Sequence, residues 1–155
     1  MAPTERDLRT RKGRGLRVLF VAGFGPIVRD PRNSRRLYVD TLGLPFEETD
    51  EYLHTDKLEG AKAFALWPLT QAAESCFGTP RWPRGVTVPQ AWVEFDVEDV
   101  GEATRALQEG GCQLLVKNRR EPWGQTVTRL LSPEGLLVGV THTPWMRKAK
   151  RGRSH

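Results

Sequence analysis

Two kinds of hydrophobic periodicity alternate along the chain, and the alternation runs through twice. The apolar stretch "VLFVAGFGPIV" (18–28) reads as a buried strand that stops at Arg29-Asp30. Next, "VRDPRNSRRLYVDTLGLP" (28–45) opens with Asp-Pro, a helix start. It sets Leu37, Tyr38, Thr41 and Leu42 on one face and stops at Gly43. "PFEET", "EYLHTDKLEG" and "AKAFALWPL" follow, strand-like pieces broken at Asp50 and Gly60. The second pass begins with "QAWVEFDVE", whose alternation puts Val93, Phe95 and Val97 on one side of a strand and Trp92, Glu94 and Asp96 on the other. In "VEDVGEATRALQEGGCQLLV" (97–116), Asp99 and Glu102 make a start like a capping box, and Val100, Ala103, Ala106 and Leu107 form a helical stripe that Gly110-Gly111 ends. "CQLLVKN", "GQTVTRLL" and "GLLVGVTHT" close the chain's second half, with breaks at Pro122-Trp123-Gly124 and at Ser132-Pro133-Glu134-Gly135.

Each half therefore reads strand-helix-strand-strand-strand. The predicted fold class is α+β, built from paired βαβββ modules that each form a curved, cup-like sheet. Matching the strand ends at Asp30 and Asp99 offsets the halves by 69 residues. The first module spans 17–70 and the second 90–145. The connector at 71–89 is rich in proline and carries a short helix over "TQAAESCF".

Charge changes this picture only at the ends. The chain carries a formal +5 with a pI near 9.6, which taken alone points to an anionic partner. Residues 1–16 hold Arg6, Arg9, Arg11, Lys12 and Arg14 against Glu5 and Asp7, and residues 146–155 hold Arg147, Lys148, Lys150, Arg151 and Arg153. The tails thus carry +3 and +5, leaving residues 17–145 at −3. These segments lack apolar side chains to bury, so both are expected to be disordered, with only weak, nonspecific affinity for nucleic acid. Cys76 and Cys112 show no framework spacing, which fits a reduced, cytoplasmic protein with both thiols packed as small apolar groups. The apolar run near the start follows basic residues like a signal peptide, but Pro26 interrupts it and Arg29-Asp30 follow at once. No stretch approaches the ~20 apolar residues of a membrane span.

A βαβββ unit written twice, with "RRLYVDTLGLPFEE" after the first strand and "PWGQTVTRLLSPEGLLVGV" at the end, resembles the vicinal oxygen chelate superfamily, the group of glyoxalases, bleomycin-resistance proteins and extradiol dioxygenases. The likeness covers about residues 17–143, with Ser132 standing where the family more often has Asp. The resemblance implies two metal ligands per half, His, Glu or Gln, one from its first strand and one from its last. The matching positions here are Gly23, Phe64, Trp92 and Gly139, none of which offers a donor atom. A register error of one residue substitutes Phe24, Ala65, Ala91 or Val140, with the same result. No metal ligand and no cofactor are therefore expected, and the resemblance narrows to members that sequester small molecules, usually as dimers, in aromatic-walled cups.

The residues expected to line such a cup are Phe64, Trp92, Glu94, Trp123 and Trp82. Each has a bland alternative: ordinary packing for the aromatics, and for Glu94 an ion pair with Arg129 or Lys62. His54 lies in a polar stretch, and His142 has parity opposite to Gly139, so both default to structural roles. No phosphate-cradling glycine loop or nucleophile elbow occurs. The leading expectation is a homodimeric protein that binds a small aromatic or apolar molecule without metal, as in antibiotic sequestration. A family enzyme of the lyase, isomerase or dioxygenase type using Glu94 as base is the alternative. A third reading is an interaction module that recruits nucleic acid through its tails.

Overall fold

The structure is a computed structural model that describes the backbone of residues 16–151 and the side chains of residues 16–147. Eight strands form one curved, open sheet: β1 (Val18–Val28), β2 (Glu47–Thr49), β3 (Tyr52–Thr55), β4 (Phe64–Pro68), β5 (Ala91–Val97), β6 (Leu114–Arg120), β7 (Thr126–Leu131) and β8 (Leu137–His142). Their spatial order is β2-β3-β4-β1-β5-β8-β7-β6. Each half contributes four strands in the same order, and the halves meet where β1 pairs antiparallel with β5. Phe24 faces Val93 across that seam. These residues stand 69 apart in sequence, so the local two-fold axis relating the modules passes between them. Edge-to-edge pairing of the modules thus occurs within one chain.

One face of the sheet carries the module helices and the other is a trough. In the second half, α3 (Val100–Glu109) starts at Asp99, whose side chain accepts from the Glu102 amide at 3.0 Å. It buries Val100 and Ala103 against Val97 and Val140. The first half differs from the expected regular helix. α1 (Pro31–Arg35), capped by Asp30, passes into a π-helical segment (Arg36–Thr41) in which the Leu42 amide bonds back to the Leu37 carbonyl. The wider turn rotates the expected stripe, so Tyr38 and Val39 pack toward Val28, Leu53 and Leu66 while Leu37 and Leu42 face solvent.

The connector begins as helix α2 (Leu69–Phe77), immediately after β4. It lies in the trough, with Ala72 and Cys76 packed against Ile27, Ala65, Trp67, Trp92, Val116 and Leu137 from both halves. The other correction concerns the C-terminal tail, expected to be disordered from residue 146. Instead α4 (Pro144–Arg151) follows β8. Arg147 Nε donates to the fully buried Asp96 at 2.7 Å and the Thr143 amide donates to the same carboxylate at 2.9 Å, because a buried carboxylate requires donors that the sheet does not supply. Residues 1–15 and 152–155, with the rest of the expected tails, lie outside the described residues. Among the described residues, no helix is long and apolar enough to cross a membrane.

Candidate functional site

Strand parity decides which side chains enter the trough. Glu94 pairs with Gly139 and Gly23, and Arg129 pairs with Gly139, so these positions share the concave face. Trp92, two residues from Glu94 on the same strand, also points inward. Its indole leans across β1 into the first half. A Cβ added to Gly23 would stand 3.0 Å from Trp92 Cη2 and 3.3 Å from Ala63 Cβ. The indole Nε1–H donates to the Ala65 carbonyl at 3.2 Å, and Trp67 meets the ring edge-on with centroids 5.9 Å apart. Trp92 thereby fills the space in which a first-half ligand side chain would stand.

The remaining two expected ligand positions are closed or misplaced. A Cβ on Gly139 would lie 3.0 Å from Glu94 Cγ and 3.2 Å from Val127 Cγ2. Phe64 is not in the trough at all. Counting from the Gly60 turn misplaced the register by one residue, so Ala65 faces inward while Phe64 packs on the helix-bearing face with Phe24, Phe46 and Tyr38. Among the described residues no three His, Cys, Asp or Glu side chains converge. The two carboxylates nearest the centre, Glu94 and Glu121, share the guanidinium of Arg129, a fixed positive charge between them. This donor set does not fit a divalent cation.

What occupies the centre is a polar network. Glu94, 12 % exposed, accepts from Gln125 Nε2 at 2.7 Å and from Arg129 Nη2 at 3.2 Å. Gln125 also donates to Thr141 Oγ1 at 2.8 Å and accepts from Trp123 Nε1 at 2.8 Å, which makes it the hub between the rim and the floor. Arg129, only 2 % exposed, lies 5.0 Å over the Trp67 ring and donates to the Ser75 hydroxyl of α2. Ser75 in turn donates to Glu121 Oε2 at 3.2 Å, and Arg119 donates to the Ser75 carbonyl at 2.9 Å. Arg119 Nε also stands 2.8 Å from Glu121 Oε1. Tyr52 borders this cluster. Burial is the main cause holding its phenol well above the ordinary range, the negative charge of Glu94 adds to the rise, and Arg129 opposes it. His54, expected to be structural, stacks on Tyr52 with centroids 5.1 Å apart.

The structure brings Trp92, Glu94 and Trp123 to one trough, packs half-buried Trp82 against the apolar cluster that holds α2 there, and turns Phe64 away from it. Trp123 stands at the rim, 54 % exposed. Trp82 packs edge-on against Phe77, 4.9 Å between centroids, and donates to the Val86 and Thr87 carbonyls, so it pins the connector down. Of the two partners expected for Glu94, Arg129 is the one present, while Lys62 sits over the Phe20 ring. Sequence reasoning missed Tyr52, Trp67, Ser75, Glu121 and Gln125. The period-two reading of β5, extended to β7, would have flagged Gln125, whereas on β4 the one-residue slip that set Phe64 inward also turned Trp67 outward. Nothing local marks Ser75, since helix α2 meets the second half only in three dimensions.

The sequence profile of the Glyoxalase/Bleomycin resistance protein/Dioxygenase superfamily matches residues 23–140. No curated protein matches the sequence. Methylmalonyl-CoA epimerase from Mycobacterium tuberculosis is similar in structure, at 19 % identity over 86 % of this chain and 94 % of that one, with a TM-score of 0.52. An extradiol ring-cleaving dioxygenase from B.fuscum shares 22 % identity over 83 % of this chain and 33 % of its own, with a TM-score of 0.53. An NAD-dependent benzaldehyde dehydrogenase structure from Legionella pneumophila aligns at 13 % identity over 77 % of this chain and 96 % of that one, with the same TM-score of 0.53. At these identities the likeness is one of fold.

Proposed function

Because the chain belongs to the Glyoxalase/Bleomycin resistance protein/Dioxygenase superfamily, we propose that its trough binds a small, partly aromatic molecule without a metal ion, with sequestration of such a compound, as in antibiotic self-resistance, as the physiological form. The observation that carries this reading is the replacement of the ligand positions. Gly23 and Gly139 lack donors and have no room for them beside Trp92 and Glu94, while Glu94 is kept at the centre as a fixed acceptor. Two donors use one lone pair on each Glu94 oxygen and leave others for a ligand amine or hydroxyl. Exposed Trp123, tied to Glu94 through Gln125, offers a face on which an aromatic body can stack. A Glu94 clamped by Gln125 and Arg129 favours holding over proton transfer, which makes catalysis by Glu94 as base the weaker reading.

The test is native mass spectrometry of the protein as isolated, followed by tryptophan-fluorescence titration with a series of aromatic amines and their deaminated counterparts. An organic adduct without stoichiometric metal, together with amine binding weakened about tenfold or more in Glu94→Gln, supports the proposal; loss of one charge-assisted hydrogen bond has that size. One divalent ion per chain, or titration curves identical in wild type, Glu94→Gln and Trp123→Ala, would sink it.

A further inference from the structure

The charged groups at the centre of the trough already balance one another. Glu94 pairs with Arg129, and Glu121 pairs with Arg119 while also facing Arg129. Two guanidiniums thus meet two carboxylates, and of the four only Arg119 is substantially exposed. The other titratable groups around them leave that balance unchanged. Cys76 of α2 is a thiol that burial keeps protonated. His54, stacked on Tyr52, stands with its Nε2 3.4 Å from Thr49 Oγ1. Asp96, further along β5, is taken by Arg147 and Thr143, and Lys62 is exposed over the Phe20 ring. An ammonium or a carboxylate entering the trough would therefore find no counter-ion of its own, and burying an unpaired ion is costly. A neutral donor meets no such cost, because each Glu94 oxygen keeps a lone pair beyond the one that accepts from Gln125 or Arg129. Tyr52 shows how this environment treats a phenol. Its ring packs on the trough's apolar cluster, and burial first, then the Glu94 charge, keep its O–H protonated well above the ordinary range although Arg129 opposes them.

We propose that the ligand of the trough is an uncharged aromatic molecule whose phenolic O–H or anilinic N–H donates to Glu94, and that the trough rejects phenolate and ammonium forms. This rests on the reading of the trough as a metal-free aromatic site and narrows it to one charge state. Arg129 makes Glu94 an acceptor whose charge is already matched, so it selects a hydrogen bond and not a cation. The aromatic body has the exposed Trp123 to stack on, which Gln125 alone separates from Glu94 in the hydrogen-bond chain.

Absorbance titration of the full chain with 4-nitrophenol, which ionises near neutral pH with a visible phenolate band, tests the proposal. Just above the phenol's own pKa, binding is expected to bleach that band. At higher pH the affinity should fall about tenfold per unit, since only the protonated form enters. 4-Nitroanisole, the same body without the donor, should bind about tenfold or more weakly. Aniline should bind more tightly than benzylamine, which is an ammonium at neutral pH. In Glu94→Gln the amide can donate to a phenolate, so the band should persist on binding; the wild-type series decides if that variant does not fold. A phenolate band that persists in the wild-type complex, nitroanisole bound as tightly as nitrophenol, benzylamine ahead of aniline, or bleaching retained in a folded Glu94→Gln would overturn the proposal while aromatic binding itself survives. No binding of any of the four probes would overturn it together with the reading on which it rests.

Discussion

Arg129 is the residue on which the trough depends. It is buried, spans Glu94 and Glu121, and reaches α2 through Ser75. Replacing it with methionine keeps the volume but leaves Glu94 without its cation and Glu121 with Arg119 alone. Uncompensated buried charge of this kind costs about 3–5 kcal/mol. Urea unfolding should therefore show Arg129→Met destabilised by that order, whereas Lys62→Met, whose ammonium is exposed over Phe20, should change stability little. Similar losses in both variants would mean that the network does not carry the charge balance described. Gly25 shows the same dependence on neighbours: its place is dictated by the Ala65 carbonyl, which would stand 1.9 Å from an added Cβ. Nothing in the local sequence distinguishes it from Gly23, whose side chain is excluded by the Trp92 indole instead.

Among the elements, the helices departed most from their sequence patterns. α3 followed its stripe because Asp99, the apolar spacing and the terminal glycines all specify the same helix. The first helix had a comparable stripe, but a π-helical turn displaced it, and periodicity alone carries no sign of an inserted residue. α4 was missed because its composition is that of a solvated tail. Among its described side chains, Arg147 answers Asp96, a carboxylate with no exposure on a central strand. Arg147→Ala should lower stability by about 1–3 kcal/mol, the cost of leaving a buried acceptor short of a donor. Arg147→Lys should recover part of it, since a single donor replaces the fork. A thermal melt that does not distinguish wild type from Arg147→Ala would show that α4 is not docked.

At the scale of the molecule, the trough couples stability to alkaline pH. Burial, the largest cause, pushes the Cys76 thiol from 9.0 up to about 11, and it also raises the Tyr52 phenol. The folded chain thus keeps protons that the unfolded chain gives up, and the stabilisation present below pH 9 is lost as pH rises toward 11. The decline is at most about 1.4 kcal/mol per pH unit for each group. Urea midpoints measured between pH 8 and 11 should fall more steeply for wild type than for Cys76→Ala, which retains only the Tyr52 contribution. Parallel slopes would contradict burial of the thiol in the folded chain.

The sequence by itself determined the two halves, their offset, the strands and the absence of donors at Gly23, Trp92 and Gly139, because strand parity, helix caps and turn residues are local and each half repeats them. It also placed Glu94 in the trough, since β5 alternates without interruption. Only the tertiary structure decided that Phe64 turns away, that Trp92 fills the first half's ligand space, and that α2 and α4 bring Ser75 and Arg147 to buried carboxylates. These are contacts between segments distant in sequence, set by a one-residue register and by where charge has to be compensated. No periodicity along the chain records either.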